Sequence, residues 1–341
     1  RATQLNQKNS GSYAEDLIVN VQPSSVENKS SNRSHNTLIF FGNGPVAAES
    51  LAFLVATFNV ELIVTKRRPA HHKDPAPVEE LAKAHGVPYV FADTKAELET
   101  LIREHKPQSP LGVVIDYGVI ISEPVIDYFP LGIINSHFSL LPEWRGADPI
   151  TFSLLSGQTV TGVSLMLIDT GLDTGPLLAT GEYNIDTGET NQSLTANLIA
   201  LSNALLAEII PKHLEGAIVA MPQISVSERP VTYSRKLTKQ DGWLNTNKPA
   251  SVLEREVRAF SEWPKSKLIL GDNLTVIVTK TAVISEQLPP GEIQITTQKE
   301  IRIGTTLGSL ELIELMPLGK QKMTAAAFLN GYSGRVANTV N

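Results

Sequence analysis

The 341-residue chain has no cysteine. That excludes disulfides, thiol nucleophiles and thiolate-bound metals, and it removes any pointer to an oxidising compartment. No run of eighteen apolar residues occurs, so no transmembrane helix is expected. Neither sign of charge dominates: 29 Lys and Arg stand against 35 Asp and Glu, a net charge of −6. This balance argues against a protein that coats nucleic acid without specificity. Charged residues are only 19 % and hydrophobic residues 42 % of the chain, so a sizeable core can be buried. At about 150 residues per domain, the length predicts two domains.

The charges are unevenly spread. Residues 1–210 hold 13 basic against 23 acidic side chains, a balance of −10. Residues 211–341 hold 16 against 12, a balance of +4. An acidic first part and a mildly basic second part fit two domains with different partners. Residues 1–36 read as a disordered tail, with Ser or Asn at 13 positions and no apolar stretch of the kind a secretory signal needs. The sequence opens on Arg1 rather than Met, which carries the expectation of a fragment boundary.

From Thr37 the texture changes. Short apolar runs at Leu38–Phe41, Val60–Val64, Pro88–Phe91, Leu111–Ile115 and Gly132–Asn135 alternate with helical patterns through Val55, at Val78–His85 and at Ala96–Glu104. That alternation predicts βαβ units and a Rossmann-like open parallel sheet with helices on both faces. Helical periodicity returns at Ile150–Ser156 and Ser193–Leu214, and Pro222–Pro230 reads as a linker. Past Asp241 come a helix at Val252–Phe260 and short β-type runs at Ser266–Leu270, Leu274–Thr279, Gly291–Thr296, Ile301–Gly304 and Ser309–Glu314. Five short strands at regular spacing predict a small barrel. The expected division is a tail at 1–36, a catalytic domain at 37–225, a linker at 226–240, a second domain at 241–335 and a tail at 336–341.

Gly42-Asn43-Gly44 follows a strand and opens a helix, a loose match to a dinucleotide fingerprint. No acidic ribose ligand closes the next strand, so a tight βα turn is the better reading. His71, His72 and Asp74 lie on a Pro-flanked basic loop, and no metal site is expected there. The informative stretch runs Asn135-Ser136-His137-Phe138-Ser139-Leu140-Leu141-Pro142-Glu143-Trp144-Arg145-Gly146. Asn135 and His137 are two apart at a strand end, so an extended chain projects both to one side. An amide and an imidazole side by side can hold a developing oxyanion and manage a proton. A second stretch, Gly162–Pro176, brings an apolar β-run to a turn with Asp169 and Asp173. Asp169 reads as an Asx-turn residue; Asp173 is the carboxylate that could reach His137.

The pattern Asn135-x-His137-x-Ser139-Leu140-Leu141-Pro142, followed by Leu172-Asp173-x-Gly175, resembles the folate-dependent formyltransferase family. Arg258–Pro264 and Pro317–Met323 extend the likeness, which runs from about Thr37 to Arg335. The resemblance implies a Rossmann-like first domain and an OB-like β-barrel at the C-terminus. It implies catalytic roles for Asn135, His137 and Asp173, and 10-formyltetrahydrofolate as the formyl-donor co-substrate. Folate-binding positions fall on Ser139, Leu140, Leu141 and Pro142, and on Tyr117 and Gly118, where Asp116 replaces a residue more often small. It further implies initiator methionyl-tRNA as acceptor, translation initiation as the process and the cytoplasm as the compartment. Candidate tRNA contacts are Arg68, Lys73, Arg145, Arg235, Lys236, Arg258 and Lys320. The loop at 66–77 is shorter and less basic than family members often carry. No metal, membrane or protein partner is implied, and a monomer is expected. A formyltransferase for a nucleotide-linked amino sugar shares the first-domain pattern and stays open as an alternative, as does a hydrolase that passes the formyl group to water.

Overall fold

The computed structural model describes residues 36–68, 76–272 and 274–340. The expected tail at 1–36, Asn36 apart, lies outside them, as do His71, His72, Lys73 and Asp74 of the basic loop. Two compact units divide the chain. The first takes residues up to Gly146, Val160–Asn184 and Ala196–Tyr233; the second takes Ala147–Thr159, Ile185–Thr195 and Ser234–Asn341. The boundary therefore differs from a single cut near 225: two excursions of the first half belong to the second unit.

In the first unit β1 (Thr37–Gly42), α1 (Gly44–Thr57), β2 (Asn59–Thr65), α2 (Pro77–His85), β3 (Tyr89–Phe91), α3 (Lys95–His105) and β4 (Gly112–Ile115) follow the expected alternation. After the short helix α4 (Glu123–Ile126) come β5 (Ile133–His137) and β6 (Arg145–Gly146). Helix α5 (Pro149–Ser156) lies in the second unit, and β7 (Val160–Leu167) and β8 (Leu177–Asn184) return to the first. The sheet order is β3-β2-β1-β4-β5-β7-β8. Strands β1 to β5 pair in parallel. The expected parallel sheet is thus mixed, because β7 and β8 run antiparallel. A βα turn opens α1: a Cβ on Gly42 would stand 2.5 Å from the Phe40 ring and 2.8 Å from Ala47, and Gly44 has a φ of +83°. The two glycines serve close packing and a left-handed turn.

One sheet face packs Ile39, Phe41, Leu62, Val64, Val114 and Ile133 against Leu98, Leu101 and Ile102 of α3. Each such side chain, fully buried, contributes about 1.5–3 kcal/mol. Thr94 caps α3, accepting the Glu97 N–H at 3.2 Å. Helix α6 (Asn191–Leu214) is long and apolar enough to cross a membrane by length and composition alone, although no uninterrupted apolar run announces it. It is a packed helix: Ser202 meets Ser136 of β5 at 2.7 Å, and Leu201 and Leu205 lie over Gly181 of β8. Next come α7 (Gln223–Val226), inside the stretch expected to be linker, and β9 (Tyr233–Ser234), which pairs with β6.

The second unit holds α8 (Ala250–Ala259), β10 (Ser266–Ile269), β11 (Thr275–Ile284), β12 (Ile293–Ile295), β13 (Ile301–Gly304), β14 (Ser309–Pro317), β15 (Met323–Thr324) and α9 (Ala325–Tyr332). The strands form an antiparallel sheet in the order β10-β11-β14-β13-β12, with β15 on β14. This separate antiparallel sheet stands where the small OB-like β-barrel is expected, and among the described residues no pairing joins β10 to β12, as in a partly open barrel. Strand β11 runs past the expected stop at Thr279: register shifts on either side of Lys280, which pairs with Glu314, skip Thr279 on β11 and Ile313 on β14, and the pairing resumes at Thr281. Residues 336–340, expected as a tail, are bound: the Val340 N–H donates to Gly291 O at 2.8 Å, and Val336 and Val340 pack on the core.

Candidate active site

Alternation along β5 decides which side chains meet. Ser136 turns to α6, so Asn135 and His137 turn to the opposite face. Strand β7 runs antiparallel to β5, with Ser164 opposite His137 and Leu167 opposite Ile134. The turn after β7 therefore leaves beside the start of β5 and folds back over the face that carries Asn135 and His137. It delivers Asp173 there, in a left-handed conformation with a φ of 50°. Asp169 pins the turn as an Asx residue, accepting the Gly171 N–H at 3.0 Å and the Thr174 hydroxyl at 2.8 Å.

The Asp173 carboxylate is the meeting point. Asn135 Nδ2 donates to Oδ1 at 3.4 Å, and the Gly146 N–H donates to Oδ2 at 2.7 Å. His137 Nδ1 stands 3.8 Å from Oδ2, with the imidazole 7 % and the carboxylate 16 % exposed. The other ring nitrogen, Nε2, lies 2.9 Å from the Trp144 carbonyl. A carbonyl only accepts, so Nε2 carries a proton and Nδ1 is the edge turned to Asp173. An amide, an imidazole and a carboxylate thus share one half-buried face, where charge is poorly screened.

The segment after His137 is held from beneath. Ser164, fully buried, donates to Ser139 O at 2.7 Å and accepts the Leu141 N–H at 3.0 Å. Ser139, Leu140 and Leu141 are buried, and Pro142 follows through a cis peptide bond. Thr232 braces the far end: its hydroxyl accepts the Trp144 N–H at 2.8 Å and its carbonyl accepts the Arg145 N–H at 2.9 Å. Tyr117 sits elsewhere, its ring in the core beside Phe41 and Phe129 and its hydroxyl donating to Ala92 O at 2.8 Å. Burial pushes that phenol well above its ordinary range. Its side chain is a core element, which leaves Gly118, at a φ of +71°, on the exposed loop.

Three of the arginines named as candidate tRNA contacts have partners within the fold, although Arg235 stays exposed. Arg145 is buried and donates from Nη2 to Gln223 Oε1 at 2.7 Å. Arg235 forms a two-pronged pair with Asp241, which holds that carboxyl well below the carboxylate range. Arg258 is bound by Glu254 and by the Glu189 carbonyl. Arg68, Lys236 and Lys320 are exposed. Among the described residues no group of three or more His, Asp or Glu could hold a metal. Sequence reasoning missed Ser164, Thr232 and Gln223. The last donates from Nε2 to both Asp173 O and Gly175 O at 2.9 Å.

Comparison with known proteins gives the family. Residues 52–210 match the formyl transferase family, and residues 236–333 match the formyl transferase C-terminal domain. The methionyl-tRNA formyltransferase of Myxococcus xanthus is 36 % identical over 304 residues, covering 88 % of this chain and 96 % of its own. That of Chloroflexus aggregans is 34 % identical over 301 residues, covering 86 % and 96 %. Among solved structures, a Helicobacter canadensis N-formyltransferase in complex with folinic acid and dTDP-3-aminofucose shares the fold, with a TM-score of 0.60 and 16 % identity over 84 % of this chain and 99 % of that one. A sugar 3N-formyl transferase, WlaRD, superposes at a TM-score of 0.61 with 18 % identity, covering 84 % of this chain and 98 % of that chain. With the family model matched in both halves and relatives at a third identity or better along most of its length, the chain belongs to the methionyl-tRNA formyltransferases, a formyl transferase family.

Proposed function

We propose that this protein transfers the formyl group of 10-formyltetrahydrofolate to the free amino group of the methionyl moiety of initiator methionyl-tRNA in the cytoplasm. The observation that carries the proposal is the convergence of Asn135 Nδ2 and His137 Nδ1 on the Asp173 carboxylate, at 3.4 and 3.8 Å. The Ser139–Pro142 segment, assigned here to folate binding, has its backbone fastened by Ser164 at the level of His137.

The residues divide the chemistry between them. Asn135 offers an N–H and His137, as an imidazolium, offers Nδ1–H to the oxygen on which negative charge grows when the amine adds to the formyl carbon. Asp173 lies against Nδ1 and sustains the positive charge on the ring. Trp144 O keeps the ring's other nitrogen protonated and the ring in place. As the new amide bond forms, the amine gives up a proton; Asp173 and His137 are placed to pass one, through water, to the folate nitrogen whose bond to the formyl carbon breaks. Every atom is then accounted for, with no covalent bond to the protein. The exposed cations Arg235, Lys236 and Lys320 remain the candidates for phosphate contact in the second unit.

Incubation with formyl-labelled 10-formyltetrahydrofolate and, in separate arms, charged initiator tRNA, uncharged initiator tRNA, a nucleotide-linked amino sugar or no acceptor tests the proposal. Label on the methionine of charged tRNA alone is the expected result. Label on a nucleotide-linked amino sugar, or free formate without any acceptor, would overturn it.

A further inference from the structure

Gln223 lies where the sequence suggests a linker, yet it is buried and every polar atom of its amide is engaged. The Leu177–Met221 pair, with N–H to O bonds of 2.8 and 2.9 Å in both directions, brings the chain before α7 alongside the start of β8. That sets Gln223 beneath the turn of Asp173. Its Nε2 spans the carbonyls of Asp173 and Gly175, and its Oε1 accepts from Arg145 Nη2 at 2.7 Å. The neighbours dictate this orientation. A guanidinium only donates and carbonyls only accept, so a flipped amide would fail at all three contacts.

These contacts close a loop around one residue. Arg145 is followed by Gly146, whose N–H holds the Asp173 carboxylate at 2.7 Å. The Arg145 side chain holds Gln223, and Gln223 holds the Asp173 main chain. Asp173 is thereby gripped from both ends while its backbone occupies a left-handed conformation, which L-residues rarely adopt. We propose that Gln223 is a positioning residue for formyl transfer: with Arg145 it fixes the turn that sets Asp173 at its distance from His137. The inference rests on the role given to Asp173 above. Gln223 touches neither substrate nor the reacting atoms; it acts through the carboxylate.

A double-mutant cycle tests it. In Gln223→Ala, kcat with both substrates saturating is expected to fall on the order of 10- to 100-fold, the usual consequence of misplacing a catalytic group by about 1 Å. The KM for the formyl donor and for methionyl-tRNA should stay within about threefold. In an Asp173→Ala background the same substitution should cost less than about twofold, since the group it positions is gone. Gln223→Glu covers the case in which alanine unfolds the turn. It keeps the size and the acceptor for Arg145 but loses both donors, and the same kcat loss with an unchanged circular dichroism spectrum is expected. Normal kcat in folded Gln223→Ala or Gln223→Glu, with Asp173→Ala slow, would overturn the positioning role alone. An equal loss in both backgrounds would reduce Gln223 to a structural residue. Normal kcat in Asp173→Ala would overturn both this role and the mechanism it serves.

Discussion

Ser164→Ala should loosen the segment proposed to carry the folate. Ser164 is fully buried and faces His137 across the β5–β7 pair. Its hydroxyl is the partner of two buried backbone groups, Ser139 O at 2.7 Å and Leu141 N at 3.0 Å. Alanine leaves a C=O and an N–H without partners. Each orphaned group costs about 1–3 kcal/mol, so a loss of about 2–6 kcal/mol is expected. For a unit of roughly 150–250 residues each kcal/mol lowers Tm by about 2–4 °C, so a fall of about 4–24 °C is expected by calorimetry. The loosened segment should also raise the KM for the formyl donor more than it lowers kcat. The control is Ser136→Ala with Ser202→Ala, which removes both members of the 2.7 Å hydroxyl pair at once. With neither group orphaned, that double variant should change Tm by only a few degrees. If Ser164→Ala melts within about 1 °C of the parent and keeps its donor KM, the clamp argument is wrong.

Three other outcomes follow from the same structure. Asp148, at a φ of 58°, is exposed as a residue, yet desolvation of its carboxyl pushes it up against the Leu237 N–H bond and nearby Lys236. A raised carboxyl contributes its stability below the ordinary value of about 3.9 and loses it as pH rises through the folded value. Asp148→Asn keeps an acceptor for Leu237, so its Tm should exceed the parent's at pH 7, and the gain should vanish near pH 4; an equal gain at both would contradict the sign. In Gly175→Ala the new Cβ would stand 1.7 Å from Leu167 O, so the Asp173 turn must move. Both stability, by about 1–3 kcal/mol, and formyl transfer should fall, and unchanged turnover would speak against a tightly set turn. Affinity for methionyl-tRNA should drop steeply with salt, and Lys236→Glu or Lys320→Glu should each lower the slope of log K against log salt by about one; a flat salt response would remove the phosphate-contact account.

Local pattern carried the sequence reading where period and burial agree. The runs that became β1, β2 and β4 are buried on both faces and stand out as apolar blocks between helical stretches. The spacing of Asn135 and His137 was legible for the same reason: period two puts them on one side. Strand β8 was not, because Leu177–Asn184 begins apolar and ends in Gly181, Glu182 and Asn184, which reads like a turn. The pairing of β5 with an antiparallel β7 was hidden as well, since strand direction in a sheet is a long-range choice. Asp173 could be nominated as a carboxylate on a tight turn, but its approach to His137 depends on that pairing. Gln223 carried no local signal at all: a glutamine after Pro222 looks like linker, and only the Leu177–Met221 pair buries it. The arginines show the opposite case. Arg235 and Arg258 look free in one dimension, and their partners, Asp241 and Glu254, are six and four residues away.

The most direct measurement is turnover under saturation with both substrates for Asn135→Ala, His137→Ala and Asp173→Ala, each shown to be folded by circular dichroism. Loss of one preorganised donor or its partner should lower kcat by a factor of about 10² to 10³ in each variant. Near-parental turnover in any of the three would contradict the claim that these groups act together on one formyl carbonyl.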